Sequence, residues 1–429
     1  MSAESSLLFA VWQRSVGVAL AAMLVFFVLY RYGAYFLLDL MLVAGLGMLL
    51  FRWRGSIGVL SERESRTVYG AVLLFFVLNM VTVVWYGDFT NPPAENLYHV
   101  AVIPLLVLVL ARFDIDERYF WWGVALAALV AGVVALSDVV FAGKERAEGL
   151  TRQAIVFGNI SLMFGFFSLM SAVYFRRRFS SYFVALPLIA AFCGFMASLL
   201  SGSRGGWLFV PVGAILLMWI FRRELGHRPL IKWIAAALAL ALAVAGAIFW
   251  NEVGDRLGQA VTQAGAYLSG AGGAHTSIGL RFEMWKAALH AISESPWVGV
   301  GIDGFHHYLG QFAAQGKMVA EAASFDHAHN QFLHTWATAG TVGLIGLLAL
   351  FLLPLKLFLA GCNSHDMEIK ALAASGVLLV VGFATFCLTD SLLFVRHSGN
   401  FYFASLVTIA FLLARRQRQL AGVVPGDGR

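Results

Sequence analysis

Charge is scarce in this chain. Only 13% of its 429 residues are Asp, Glu, Lys or Arg, against about 25% in soluble domains. With 60% hydrophobic residues and a mean hydropathy of +0.78, this excludes an ordinary water-soluble globule and points to a polytopic integral membrane protein. A bilayer tolerates only helices or closed barrels, because it cannot solvate open backbone groups. The apolar runs are far longer than the roughly 10-residue alternating strands of a barrel, so the expected fold class is all-α. Cysteine is also rare: Cys193, Cys362 and Cys387 form no CxxC pair, which excludes a disulfide framework and a cysteine zinc site. There is no internal repeat and no appended soluble domain of useful size. The first apolar run, Val16–Tyr30, lacks a small-x-small exit and reads as a retained span rather than a cleaved signal. The net charge of +6 does not indicate a nucleic-acid partner, because the excess lies in short loops, where membrane topology demands it.

What is present is a series of twelve apolar segments, each near the roughly 20 residues that cross a hydrocarbon core. They are expected at 15–30, 33–51, 68–86, 97–111, 119–141, 154–175, 182–201, 205–221, 233–250, 335–355, 370–390 and 400–414. With both termini cytoplasmic, 20 of the 30 Lys and Arg residues fall on the inner side, as the positive-inside rule requires. Segment 251–334 then faces outward. The expected divisions are residues 1–250 with nine spans, 251–334 as an outer loop domain, and 335–429 with three spans and a cytoplasmic tail. Inside the loop, Phe282, Trp285, Leu289 and Ile292 recur at helical spacing and predict an amphipathic helix. Pro296 ends it, Gly299, Gly301 and Gly304 mark a turn, and a second helix is expected near Phe305–Gln315. Ala264–Gly279 reads as a mobile Gly/Ala/Ser loop.

Polar residues that could carry chemistry cluster on the outer side. Ser201-Gly-Ser-Arg-Gly-Gly206 offers glycines for close backbone approach and Arg204 for a phosphate; a tight turn with a snorkelling arginine explains it equally well. Gly279-Leu-Arg281 opens the amphipathic helix, a place the helix dipole makes poor for a cation unless an anion joins it. Arg152 is a further possible phosphate contact. His306 and His307 read as exposed positions on a loop helix. Phe325-Asp-His-Ala-His-Asn-Gln-Phe-Leu-His334 supplies a base near neutral pH. In a helix starting there, His327, Asn330 and His334 share one face and His329 points elsewhere. The same i, i+2 spacing fits a metal site on a helix face poorly, so neither a metal nor another cofactor is expected. Asp390, at the outer end of a span, could orient a histidine or pair with Arg396 or His397. Span interiors are otherwise almost free of charge, with Asp39 and Asp138 the main exceptions. That scarcity disfavours the alternative of a secondary transporter, which keeps ionisable groups near the midplane.

His329-Asn330, followed after nine residues by Gly340 and then by Gly343, resembles the signature of O-antigen ligases. Ser201–Gly206, Gly279-Leu-Arg281 with Met284-Trp285, and Pro296-Trp-Val-Gly-Val-Gly301 resemble the other recurring segments of the O-antigen ligase/polymerase superfamily. The resemblance implies a GT-C-like glycosyltransferase of the Gram-negative inner membrane with its active site facing the periplasm. Its substrates would be O-antigen on undecaprenyl diphosphate and the lipid A–core oligosaccharide, with membrane lipids as surroundings. It implies metal-independent, inverting transfer, with His329 as general base and Arg204 and Arg281 binding the departing diphosphate. Arg152, Asn330, Asp390 and His327 would line the substrate site. The same segments suit an O-antigen polymerase or an O-linked oligosaccharyltransferase, which differ in the acceptor.

Overall fold

A chain this apolar must satisfy its backbone groups within the protein, which favours helices. The computed structural model describes residues 3–51, 62–90, 92–225, 261–270 and 272–422, together with 229, 232–234, 236, 258 and 259. Among these residues it is helical throughout, with no strand, as the apolar runs require. The helices are α1 (Ala3–Leu29), α2 (Arg31–Leu50), α3 (Arg63–Tyr86), α4 (Pro92–Val102), α5 (Leu106–Arg112), α6 (Glu117–Leu136), α7 (Ala154–Arg178), α8 (Ala185–Leu200), α9 (Arg204–Trp207), α10 (Phe209–Ile220), α11 (Ser277–Glu294), α12 (Gly304–Ala314), α13 (Gln331–Gly361), α14 (Met367–Phe386) and α15 (Arg396–Leu420).

Ten helical segments among the described residues are long and apolar enough to cross a membrane, against the twelve expected. The difference has two sources. The expected span 205–221 is split into α9 and α10, a short apolar pair. The expected span 233–250 lies almost wholly outside the described residues. The protein is a multi-pass membrane protein, with α7, α14 and α15 at its centre and α1 and α2 at its rim. The most apolar stretch of α15 is entirely buried, whereas only 28% of that of α2 is.

The loop elements fall close to expectation. The amphipathic helix is α11 and the second helix is α12. Together with residues 318–328 they bury their own cluster around Met284, Ala288, Phe305, Leu309 and Phe312. Residues 261–268 are helical, so the expected mobile loop is shorter than its composition suggested. Thr276 caps α11 by accepting from Gly279 N–H at 3.1 Å. Arg281 therefore stands a full turn inside the helix rather than at its opening, and the dipole argument does not apply to it.

The loop is fixed to the bundle by an exchange of backbone hydrogen bonds. Helix α13 breaks at Gly340, whose φ of 64° and ψ of −170° only glycine adopts readily. The break removes the bonds that Ala337 and Thr338 carbonyls would accept from Thr341 and Val342. The turn 296–301 replaces all of them. Val300 and Gly301 donate to Ala337 O and Thr338 O at 2.9 and 3.1 Å, while Thr341 and Val342 donate to Pro296 O and Trp297 O at 2.8 and 3.3 Å. Tyr86 Oη adds a bond to Gly299 O at 2.8 Å.

The opposite end of the bundle is tied by ion pairs. Arg415 reaches Asp114 at 2.7 Å and Glu117 at 3.1 Å, and Arg416 reaches Glu368 at 2.7 Å and Asp366 at 3.1 Å. Lys370 pairs with Glu224. Asp138 also proves structural: its Oδ2 accepts from the amides of Glu148 and Gly149 at 2.9 and 2.7 Å, and Lys144 lies 3.1 Å from its other oxygen.

A Cβ on Gly340 would overlap the Trp297 carbonyl. Gly340→Ala is therefore expected to destabilise the protein by at least about 2 kcal/mol, whereas Gly70→Ala, in helix α3 with open space around it, stays within about 1 kcal/mol of the parent. Thermal unfolding in detergent, followed by size-exclusion chromatography, measures both.

Candidate active site at the loop-side end of the bundle

Helix ends bring the polar segments together. Helices α8 and α14 end, and α7, α9, α13 and α15 begin, at the same end of the bundle as the long loop. Asn330 is the N-cap of α13: its Oδ1 accepts from Leu333 N–H at 3.1 Å, and its Nδ2 donates to Leu388 O at 3.3 Å. Gln331, buried beside it, donates its amide to Cys387 O at 2.8 Å. Its Oε1 accepts from Leu393 and Phe394 N–H at 3.0 and 3.3 Å. Two consecutive residues thus pin the 387–394 loop, which carries Asp390, against the start of α13. From the other side the Trp285 indole of α11 donates to Ala328 O at 2.9 Å, holding the histidine segment in place.

The helix starts only at Gln331, so the expected face shared by His327, Asn330 and His334 does not form. Instead His327 and His329 precede the helix and meet, with ring centroids 4.4 Å apart. His329 adopts φ of 47°, a left-handed conformation that costs a non-glycine residue about 1–3 kcal/mol. Both face Asp390. His327 Nε2 is hydrogen-bonded to its Oδ1 at 3.1 Å; His329 Nδ1 lies 3.3 Å from the same oxygen, at ion-pair distance but outside hydrogen-bond alignment. Burial would raise the Asp390 carboxyl, but the two histidines overcome this and hold it well below the usual carboxylate range. Neither Arg396 nor His397 is its partner. His397 is turned inward to Phe27 O at 2.9 Å, and Arg396 is turned toward Asp39.

Arg281 is the cation nearest in effect. Burial pushes its guanidinium down from its usual value, and the charge of Asp390 works against that. Among the described residues it makes no hydrogen bond or ion pair. His334 leaves the cluster: it is 2% exposed and lies edge-on between Phe305 and Phe394 at 5.4 and 5.2 Å.

Arg204 is exposed at the start of α9. Its turn is anchored by Ser203 Oγ on Asn159 Oδ1 at 2.9 Å, by Arg146 Nε on Ser201 O at 2.8 Å, and by Gly205, which lies against Thr389, the neighbour of Asp390. Arg152 is exposed, with φ of 57°, after the short turn Gly149–Thr151. His306 pairs at the surface with Asp326 at 3.4 Å. Sequence reasoning missed Gln331, Trp285 as a clamp, and Arg146. Gln331 and Trp285 sit within the recognised segments; Arg146 carries no local signal.

Off the helix, His327, His329 and Asp390 place three potential ligand atoms within 4.8 Å of one another, so the spacing argument against a metal does not hold here. The guanidinium that acts on the same carboxylate opposes a dication at this point.

Residues 189–348 match the family model described as O-antigen ligase. The chain is 27% identical over 354 residues to an uncharacterised protein of Haemophilus influenzae, covering 81% of this chain and 86% of that one. It is 28% identical over 198 residues to a protein of Pseudomonas aeruginosa named O-antigen ligase, covering 46% of this chain and 40% of that one.

Gln331→Leu would remove the side-chain acceptor of the Leu393 amide and leave the Phe394 amide only its bond to Ser391 O. A loss of about 1–3 kcal/mol is expected, read as a lower unfolding temperature, with faster proteolysis of the 387–394 loop as the local signature.

Proposed function

We propose, from the premise that this chain belongs to the O-antigen ligase superfamily, that it transfers O-antigen from undecaprenyl diphosphate to the lipid A–core oligosaccharide. The reaction takes place at the periplasmic side of the Gram-negative inner membrane, with both termini cytoplasmic. The observation that carries the reading is Asp390, which gathers two imidazoles and acts electrostatically on a half-buried arginine. A base and a cation thereby stand around one carboxylate, as displacement of a diphosphate requires.

The carboxylate faces Nδ1 of His329, favouring the tautomer that carries its proton there and leaving Nε2 as the basic atom. The acceptor hydroxyl gives its proton to Nε2 as its oxygen bonds to the anomeric carbon. The bond from that carbon to the diphosphate oxygen breaks with its electron pair on the diphosphate. Attack opposite the leaving group inverts the anomeric centre. Arg281 receives the departing charge, with Arg204 and Arg152 on the neighbouring turns as further phosphate contacts. His327 shares Asp390 with His329 and limits its rotation, and Asn330 fixes the helix start. The strained φ of His329 fits a residue held for chemistry rather than packing.

Lipopolysaccharide banding of a deletion strain tests the function. Loss of all O-antigen on core, with polymer accumulating on the carrier lipid, is expected; core bearing a single repeat would instead make the chain a polymerase. Transfer that survives chelation but fails in His329→Ala and Arg281→Lys, at normal membrane levels, supports the mechanism; Lys retains the charge and loses the planar fork. Rescue of chelated protein by one divalent ion would replace it with a metal mechanism.

Asp390 is held well below the usual carboxylate range by the two histidines, so it is ionised at neutral pH. Asp390→Asn removes the negative partner that favours imidazolium. The rate at neutral pH is therefore expected to fall by about 10²-fold or more, because the carboxylate orients the base. A near-parental rate in Asp390→Asn would separate Asp390 from the base.

A further inference from the structure

Asp39 is the other carboxylate the sequence sets inside a span, and the site above makes no use of it. It lies eight residues into α2, about 12 Å below that helix's loop-side end at 1.5 Å per residue. Along the same helix Phe36, Leu40 and Val43 are 67, 55 and 68% exposed, the stripe that faces lipid. Asp39 lies at the edge of this stripe, its side chain 46% exposed.

Cations gather around it. His99 Nε2 of α4 lies 2.8 Å from Asp39 Oδ1. Arg396, the first residue of α15, approaches Oδ2 only to 4.0 Å, is itself 46% exposed, and sits 5.3 Å over the Tyr35 ring. Arg31, at the head of α2, meets only the Tyr32 hydroxyl at 3.0 Å among the described residues. A charge beside a lipid-facing stripe is costly unless a polar group reaches it. The balance of charge selects what it is. Arg396 and Arg31 sit over the neighbouring rings of Tyr35 and Tyr32, 6.1 Å apart, and the single loose contact to Asp39 leaves most of the Arg396 donors unused. A phosphate oxyanion, which the planar guanidinium fork matches, is the complement. The surrounding lipid-facing stripe selects a phosphate carried on a lipid.

We propose that the notch between the α1–α2 turn, α4 and α15 binds the phosphate of a lipid headgroup. The inference rests on the charge and exposure of this notch and stands without the transferase reading. Arg396 follows Asp390 by six residues, so a lipid held there is delivered beside the site.

Native mass spectrometry of the full-length protein, exchanged into detergent with phosphatidic acid or phosphatidylcholine, tests this. Preferential retention of phosphatidic acid is expected. It should fall about tenfold or more in Arg31→Gln/Arg396→Gln, the equivalent of one charge-assisted contact, and persist in Arg31→Lys/Arg396→Lys and in Arg281→Gln. Equal retention of the two lipids, or full retention by the glutamine pair at an unchanged unfolding temperature, would overturn the proposal. Loss in Arg281→Gln with retention in the glutamine pair would assign the lipid to the other site, and displacement by millimolar inorganic phosphate would make the notch a free-anion site. Failure of the O-antigen transfer assay alone leaves these outcomes unchanged.

Discussion

The reciprocal backbone exchange at Gly340 is the constraint on which the loop-side architecture depends. A bilayer protein cannot leave a broken helix unsatisfied, because each open amide or carbonyl near the apolar core costs several kcal/mol. Here four bonds from the 296–301 turn close the gap in α13. The turn directly follows α11, so the repair of one helix fixes the position of another. Through α11 it also fixes Trp285, whose indole holds Ala328 between the two histidines, and Arg281 one turn earlier on the same helix. A loop that would otherwise slide over the membrane is thereby held in register with helix ends belonging to the bundle.

From that register the polar residues organise around Asp390. It is held from below by Gln331 and Asn330 through the 387–394 loop, and it holds His327 and His329 above it. The strain in His329 is offset by these contacts on both flanks. The carboxylate stays ionised despite burial because its partners supply the hydrogen bonding that water would have given.

Much of this was legible in the sequence because lipid imposes strong periodic rules. The apolar runs revealed most spans, helical spacing of Phe282, Trp285, Leu289 and Ile292 revealed α11, and the glycines of 299–304 revealed a turn. What the sequence could not reveal was what the turn is for: Gly340 and Gly299 look like ordinary helix and loop glycines until the two segments interlock. The histidine segment was found, but its shared helical face was wrong because Asn330 caps the helix three residues later than assumed, leaving His327 and His329 in irregular backbone. Asp390 was visible as an ionisable residue at a span end. Its choice of histidines over Arg396 or His397 is set by the direction in which α15 starts, which no local pattern encodes.

The two ends of the bundle solve opposite electrostatic problems. At the far end Arg415, Arg416 and Arg178 are matched by Asp114, Glu117, Asp366 and Glu368 at 2.7–3.1 Å, so the charges cancel and the helices are clamped. Around Asp390 and Arg281 such a match is missing. Asp390 is committed to imidazoles, and the half-buried Arg281 feels its field without a hydrogen bond or ion pair among the described residues; Arg396 approaches Asp39 only to 4.0 Å. Cations kept short of anions in a low-dielectric setting bind an arriving anion more strongly than a neutralised pair could, because little existing contact must be broken. Without an anion the same arrangement costs stability, whereas the matched pairs at the other end clamp the helices.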